Sequence, residues 1–304
     1  MPGSTPLLLN GVLIRDSFAE AFPMSATRLI VTADHARWAR TAAEAMTGFA
    51  TSVIACGCEG GSERELAPIE TPDGRPGVAV LIFGMSPKDL AKQVQNRVGQ
   101  CVLTCAGAAC FNGIRSETNL PLGNALRYFA DGFQISKQLL ERRVWRLPVM
   151  EGEFVCEDRA GIVPGIGGGN FLILATSPAA ALAASEAAID AMRRLPNVIM
   201  PFPGGIVRSG SKIGSKYKGL IASTNHAYCP TLKGEVPTAL PDEVGSVLEI
   251  VIDGLSEGDI RAATAAGIRA ACAGGRAAGV VAIDAGNYGG QLGPHHFRLR
   301  EILA

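Results

Sequence analysis

The hydrophobic residues of this chain gather into short runs, separated by stretches in which apolar and polar residues recur at a helical period. Residues 28–33 (RLIVTA), 51–56 (TSVIAC), 78–83 (VAVLIF) and 101–105 (CVLTC) have the length and aliphatic make-up of buried strands. Between them, residues 34–47 and 86–99 read as helices. Asp34 is placed to cap the first and Gly48 to end it, and Ser86-Pro87 opens the second with a capping residue followed by proline. The order is strand-helix-strand, strand-helix-strand. It recurs further on: a strand at 170–176 (NFLILAT), a helix at 177–194 opened by Ser177-Pro178, and a strand at 197–200 after Pro196. A strand at 247–252 (VLEIVI), a helix at 256–272 capped by Ser256 and a strand at 279–283 complete it.

Two such runs predict an α+β protein of two ferredoxin-like βαββαβ lobes related by internal duplication. The expected domains are 1–150, an N-terminal lobe, and 151–304, a C-terminal lobe with an inserted basic loop. Between the lobes, residues 128–158 contain an extended alternating stretch suited to a hairpin or bridge, and a cleft between lobes is the natural place for a substrate. The insertion shows in the spacing of the helix starts, Asp34 to Ser86 in the first half but Ser177 to Ser256 in the second. Units of this kind need only brief connections, and a long one is more often functional than idle.

The inserted segment begins at 198–219 (VIMPFPGGIVRSGSKIGSKYKG), where Arg208, Lys212, Lys216 and Lys218 are spaced by Gly and Ser. Exposed N–H dipoles and cations together suit a carboxylate or phosphate. The same composition also fits a solvated surface loop that keeps the protein soluble.

Composition narrows the classes. The chain is 47% hydrophobic and 18% charged, with 28 basic and 28 acidic residues. Net neutrality argues against a nucleic-acid binder, and no apolar run approaches a membrane span of roughly 18 residues. Residues 1–17 lack the basic and apolar regions of a secretory signal. The cysteines at 56, 58, 101, 105, 110, 156, 229 and 272 therefore read as reduced thiols of a cytoplasmic protein. Cys56 and Cys58 do not have zinc-ribbon spacing, so no metal site is expected.

Several motifs fail on inspection. GIGGGN at 165–170 precedes a strand instead of following one, unlike a dinucleotide fingerprint. The near P-loop at 205–212 has Ser211 where the lysine belongs. No Gly-x-Ser-x-Gly elbow is present, and the histidines at 35, 226, 295 and 296 are scattered. Glu249 stands out because a carboxylate within an apolar strand is costly unless paired or used, and burial raises its pKa. Strand alternation can instead point it to solvent or to an arginine. Residues 284–290 close the last strand with a polar turn, whose Asn287 and Tyr288 can bind a ligand or cap the turn.

These residues resemble a known family. FAEAF at 18–22, ETPDGRPG at 70–77, GQCVLT at 99–104, GIGGGNF at 165–171, PFPGGI at 201–206, SGSK at 209–212, EIVI at 249–252 and AGNYGG at 285–290 occur in one order along nearly the whole chain. Together they resemble the formylmethanofuran:tetrahydromethanopterin formyltransferases, and a neutral rather than strongly acidic chain suits a bacterial member. The resemblance implies transfer of a formyl group between N5 of a tetrahydromethanopterin-type pterin and the amine of a methanofuran-type carrier. It implies no metal and no tightly bound cofactor, a homo-oligomer, and formylmethanofuran hydrolase- or dehydrogenase-like partner subunits.

The candidate substrate contacts are Glu70, Asp73, Arg75, Gln100, Phe202, Pro203, Gly204, Gly205, Arg208, Ser209, Ser211, Lys212, Lys216, Asn287 and Tyr288, with Glu249 the candidate proton-transfer group. The basic loop would meet the glutamate-rich tail of the furan carrier. An alternative class is a non-catalytic subunit that binds pterin or carrier and scaffolds a hydrolase complex. A nucleotide-dependent ligase is disfavoured by the failed P-loop.

Overall fold

The computed structural model describes residues 6–304, so the first five residues of the stretch inspected for a secretory signal lie outside the described residues. The fold is mixed α+β, with strands pairing both antiparallel and parallel. It packs as two compact units. One comprises the described residues up to Pro23 together with Ile166–Leu195 and Phe202–Ala304; the other comprises Met24–Gly165 and Pro196–Pro201. The beginning of the chain thus packs with elements of the second half. Its strand Val12–Ile14 pairs in parallel with Val280–Asp284, and the Arg15 guanidinium donates to Asp284 at 2.6 Å.

In the unit built around Met24–Gly165, the strands lie in the order Glu59–Leu66, Gly77–Gly84, Phe18–Thr32, Ala109–Asn112, Gly152–Glu157, Arg142–Val149 and Ile135–Leu139. The first four pair antiparallel. The helices Ala36–Thr47 and Pro87–Arg97 close the core, setting Ala39, Ala43, Met46, Leu90 and Val94 against Leu29, Val31, Val80 and Ile82.

Three expected elements differ here. Residues 51–56 are not a strand: Ser52 accepts from the Ile54 N–H and caps a short helix, Val53–Cys56, ended by Gly57 at φ 73°. The strand comes later as Glu59–Leu66, polar in sequence because it lies at the end of the sheet order, where one side of its backbone has no strand neighbour. Residues 101–105 belong instead to a π-helical turn, Val98–Val102, and the bend after it; the strand is Ala109–Asn112. Asp34 does not cap its helix, which starts after His35 with no side-chain cap. Its carboxylate accepts from Arg75 at 2.9 Å instead.

In the other unit, Val163–Ala175 lies between Ser246–Gly254 and Val280–Asp284, antiparallel to both. Ser177 and Ser256 cap the helices Pro178–Met192 and Glu257–Ala271, as their Ser positions predict. These helices cover one sheet face, where Phe171 lies beside Met192 and Gly267. Side chains alternate across a strand, so the opposite face carries Leu172, Leu174 and Val247. The inserted segment covers that face, packing Tyr228, Leu240 and Val244 on it. Each fully buried Leu or Val there contributes about 1.5–3 kcal/mol over exposure. The insertion is therefore held by a satellite core, and its Lys233 ammonium donates to the carbonyls of Pro241, Asp242 and Val244 at 2.7–2.8 Å.

Candidate active site

The site begins with a cross-strand row. Leu172 lies directly opposite Glu249 on one neighbouring strand and Asp284 on the other. All three side chains therefore leave the sheet on the face that the insertion covers. Asp284 is 3% exposed and fully engaged: Arg15 donates to it at 2.6 Å, the Tyr228 hydroxyl at 2.8 Å and the Ala285 N–H at 2.8 Å. Burial, and then the neighbouring Asp284 charge, push the Tyr228 phenol well above its usual range, so it serves as a fixed donor.

Glu249 is different. Its carboxylate is half-buried and makes no side-chain hydrogen bond or ion pair among the described residues. Burial pushes its pKa up to about 7. A group that titrates near neutrality inside a cavity is suited to proton transfer.

The cavity above Glu249 has a volume of about 300 Å³. Leu172 and Val247 form part of its floor, and Arg208, Ser209 and Ser211 come from the basic loop. Asn225, Tyr228, Cys229 and Thr231 come from later in the insertion, and Asn287 and Tyr288 from the turn after the last strand. The Tyr288 hydroxyl donates to the Ser211 carbonyl at 3.4 Å. Burial raises its pKa, the Ser211 contact opposes this, and the Glu249 and Glu20 charges add to the rise.

Local geometry explains how the loop reaches the site. After the strand ending at Ile199, Pro203–Gly205 forms a 3-10 turn in which Gly204 and Gly205 take φ of 65° and 89°, a conformation open to glycine. Val207 then forms a two-way backbone bridge to Glu249, and Arg208 follows at the cavity rim, exposed and without an ion pair among the described residues. Lys212 and Lys216 lie farther along, on a hairpin in which Lys212–Ile213 pairs with Ala222–Ser223.

The structure thus brings together Glu249, Arg208, Ser209, Ser211, Asn287 and Tyr288 of the sequence candidates. Phe202, Pro203, Gly204 and Gly205 shape the approach without lining the cavity. Gln100, Glu70, Asp73 and Arg75 belong to the other unit. Glu70 accepts from Arg64 at 2.7 Å and from the Ala67 N–H. Arg75 donates to Asp73, Asp34, Thr32 and the Gly107 carbonyl. A second cavity, also about 300 Å³, includes Asp73 and Arg75 beside Lys137 and Arg146.

Sequence reasoning missed Asn225, Tyr228, Cys229 and Thr231, which carry no motif, and treated Asp284 only as part of a turn. The one available signal was an acid at the end of an apolar strand, a costly placement that implies a partner. Among the described residues no group of three His, Cys, Asp or Glu side chains could hold a metal ion, and no helix is long and apolar enough to cross a membrane.

Comparison with known proteins adds a relationship. The profile described as formylmethanofuran-tetrahydromethanopterin formyltransferase matches residues 7–149, and that of the family's proximal lobe matches residues 152–302. The chain is 64% identical over 298 residues to the formylmethanofuran–tetrahydromethanopterin formyltransferase of Methylococcus capsulatus, covering 98% of this chain and 100% of the relative. It is 54% identical over 301 residues to a subunit of the formyltransferase/hydrolase complex of Methylorubrum extorquens, covering 97% of each. Among solved structures, the Methylorubrum extorquens formyltransferase/hydrolase complex with methylofuran contains a chain matching at a TM-score of 0.96 and 53% identity, over 99% of both chains. The Methanosarcina barkeri enzyme matches at 0.92 and 48%, over 97% of this chain and 100% of that one.

Proposed function

The chain belongs to the formylmethanofuran–tetrahydromethanopterin formyltransferase family, and from that membership we propose that the formyl group changes hands in the cavity above Glu249. It is a formyltransferase, moving a formyl group between methanofuran and tetrahydromethanopterin. The reacting atoms are the carrier amine and N5 of the pterin. One nitrogen attacks the formyl carbon, a tetrahedral intermediate carries an oxyanion, and the other nitrogen leaves.

Over the whole reaction one nitrogen loses a proton and the other gains one. Glu249 serves both steps, accepting the proton from the attacking nitrogen and returning it to the leaving one. A carboxyl titrating near 7 exists in both forms at neutral pH, as such a relay requires. Hydrogen-bond donors at the rim steady the oxyanion, and Arg208, Lys212 and Lys216 attract the acidic parts of the carriers. The observation that carries this reading is an acid half-buried in a cavity, with no partner for its charge among the described residues.

The two halves fit a duplication of one ferredoxin-like βαββαβ lobe. In the unit around Met24–Gly165 the last, first, third and second strands lie side by side in that order, which supports a βαββαβ lobe. By analogy with the Methylorubrum extorquens relative, hydrolase-like subunits are its protein partners.

The deciding experiment mixes purified protein with formyl-tetrahydromethanopterin and methanofuran and follows both products by mass. Transfer by the wild-type chain, and its loss in Glu249→Gln with both substrates still bound, supports the reading. Binding of both substrates without turnover by the wild-type chain would point to a scaffold role.

A further inference from the structure

Glu20 lies on the strand Phe18–Thr32, is only 1% exposed, and has no cation beside it in any hydrogen bond or ion pair among the described residues. Its charge is met by backbone. Oε2 accepts from the N–H of Tyr288 at 2.8 Å and of Gly290 at 3.0 Å, and Oε1 accepts from Gly293 at 3.1 Å and from Leu292. Four amides of one turn thus converge on one carboxylate. Burial pushes the carboxyl up, but these N–H donors outweigh it and hold its pKa below the usual value.

Within the turn the other hydrogen bonds are long: the Gly289 N–H donates to the Asn287 side-chain oxygen at 3.3 Å and the Tyr288 hydroxyl to the Ser211 carbonyl at 3.4 Å. Asn287, Gly289, Gln291 and Leu292 are exposed, and Gly289 and Gly290 take positive φ. Two further contacts fix its ends. The Asn170 side chain accepts from the Gly286 N–H at 2.6 Å and donates to its carbonyl at 3.1 Å. Gly293 is pressed so close to the strand that a Cβ there would collide with the Ala21 carbonyl oxygen. Between these ends the turn carries Asn287 and Tyr288 into the wall of the Glu249 cavity.

We infer that Glu20 is a positioning residue for formyl transfer: its carboxylate templates the 286–293 turn and thereby sets where Asn287 and Tyr288 stand in the cavity. This rests on the reading that the cavity is the reaction site. A neutral amide of the same shape can satisfy at most two of the four N–H groups, and its own NH₂ opposes the others. Hydrogen bonds to a charged group are roughly twice as strong as those between neutral groups. The turn in Glu20→Gln should therefore loosen while the strand beneath it stays paired.

Two measurements test this. Hydrogen exchange on the wild-type protein should show the amides of Tyr288, Gly290, Leu292 and Gly293 protected at least tenfold more than those of Asn287 and Gln291. In Glu20→Gln that difference should collapse, and kcat/KM should fall about 10- to 100-fold, the equivalent of losing such bonds. Adding Tyr288→Phe to Glu20→Gln should then cost less than it does alone, because the displaced phenol is already lost to the site.

Equal exchange at all six wild-type amides overturns the inference, even if the Gln variant does not fold. Additive kinetic losses overturn it too, as does a Gln variant with lowered Tm and unchanged kcat/KM. Absence of transfer by the wild-type chain would instead remove the functional reading and leave the exchange pattern standing.

Discussion

Val207 and Glu249 exchange both backbone hydrogen bonds, each N–H donating to the other's carbonyl, at 2.8 and 2.9 Å. That bridge adds the start of the basic loop to the sheet at the register position of the candidate acid. Arg208, Ser209 and Ser211 follow within four residues, so the loop's cationic end is placed by a strand-like contact.

Glu249→Gln should lower kcat by about 10²–10⁴-fold, the usual worth of general acid–base help, while substrate binding persists. Wild-type kcat should show an inflection near pH 7 that the Gln variant lacks. A variant with near-normal kcat and an unaltered pH profile would make Glu249 a structural acid.

The same residue predicts a stability effect of definite sign. The Glu249 pKa is near 7 when folded against 4.5 in an ordinary environment, so between these values the folded state binds the extra proton. Its contribution is unpenalised below about pH 4.5 and is lost as pH rises through 7. At pH 8, Glu249→Gln should therefore be more stable than wild type by about 1–3 kcal/mol, with no gain at pH 4. Urea unfolding at the two pH values checks this.

For the carriers' acidic parts, Arg208→Ala should raise KM more than Lys212→Ala or Lys216→Ala, because Arg208 stands at the cavity rim and the lysines lie on the hairpin beyond it. All three effects should shrink with added salt, since the Debye length falls to about 3 Å at 1 M. Steady-state kinetics at two ionic strengths separates tail binding from chemistry: a loss in kcat equal to that in kcat/KM would place the residue at the reaction centre.

Arg15→Met should destabilise the protein by about 3 kcal/mol near neutral pH, because it leaves Asp284 buried with its charge opposed only by neutral donors. Asp284→Asn in the same background should recover part of that loss. Thermal unfolding of the two variants, checked for two-state behaviour, gives the comparison.

Arg75→Lys should lower Tm while leaving the KM for both carriers unchanged, since a lysine cannot serve Asp73, Asp34, Thr32 and the Gly107 carbonyl at once. A raised KM with normal Tm would instead identify the ETPDGRPG segment as a substrate contact.

The four long helices, the serine caps at 86, 177 and 256, the existence of an insertion and the acid within VLEIVI were legible in the order of residues. These depend on local chemistry: periodicity, a capping hydroxyl, a charge among aliphatics. Residue order also pointed to Asn287 and Tyr288, though without a reason for their placement. The edge strand Glu59–Leu66 escaped because a strand with a neighbour on only one side can be polar, and the short apolar run 51–56 was taken by a serine-capped turn of helix.

Three features emerged only with the chain folded. The insertion covers the helix-free face of its sheet, Tyr228 reaches Asp284, and Glu20 gathers four amides from a turn more than 260 residues away. Such pairings follow from which strand lies beside which and in what register. Residues far apart in the chain carry no trace of that in their own periodicity, because register is fixed by the packing of whole faces.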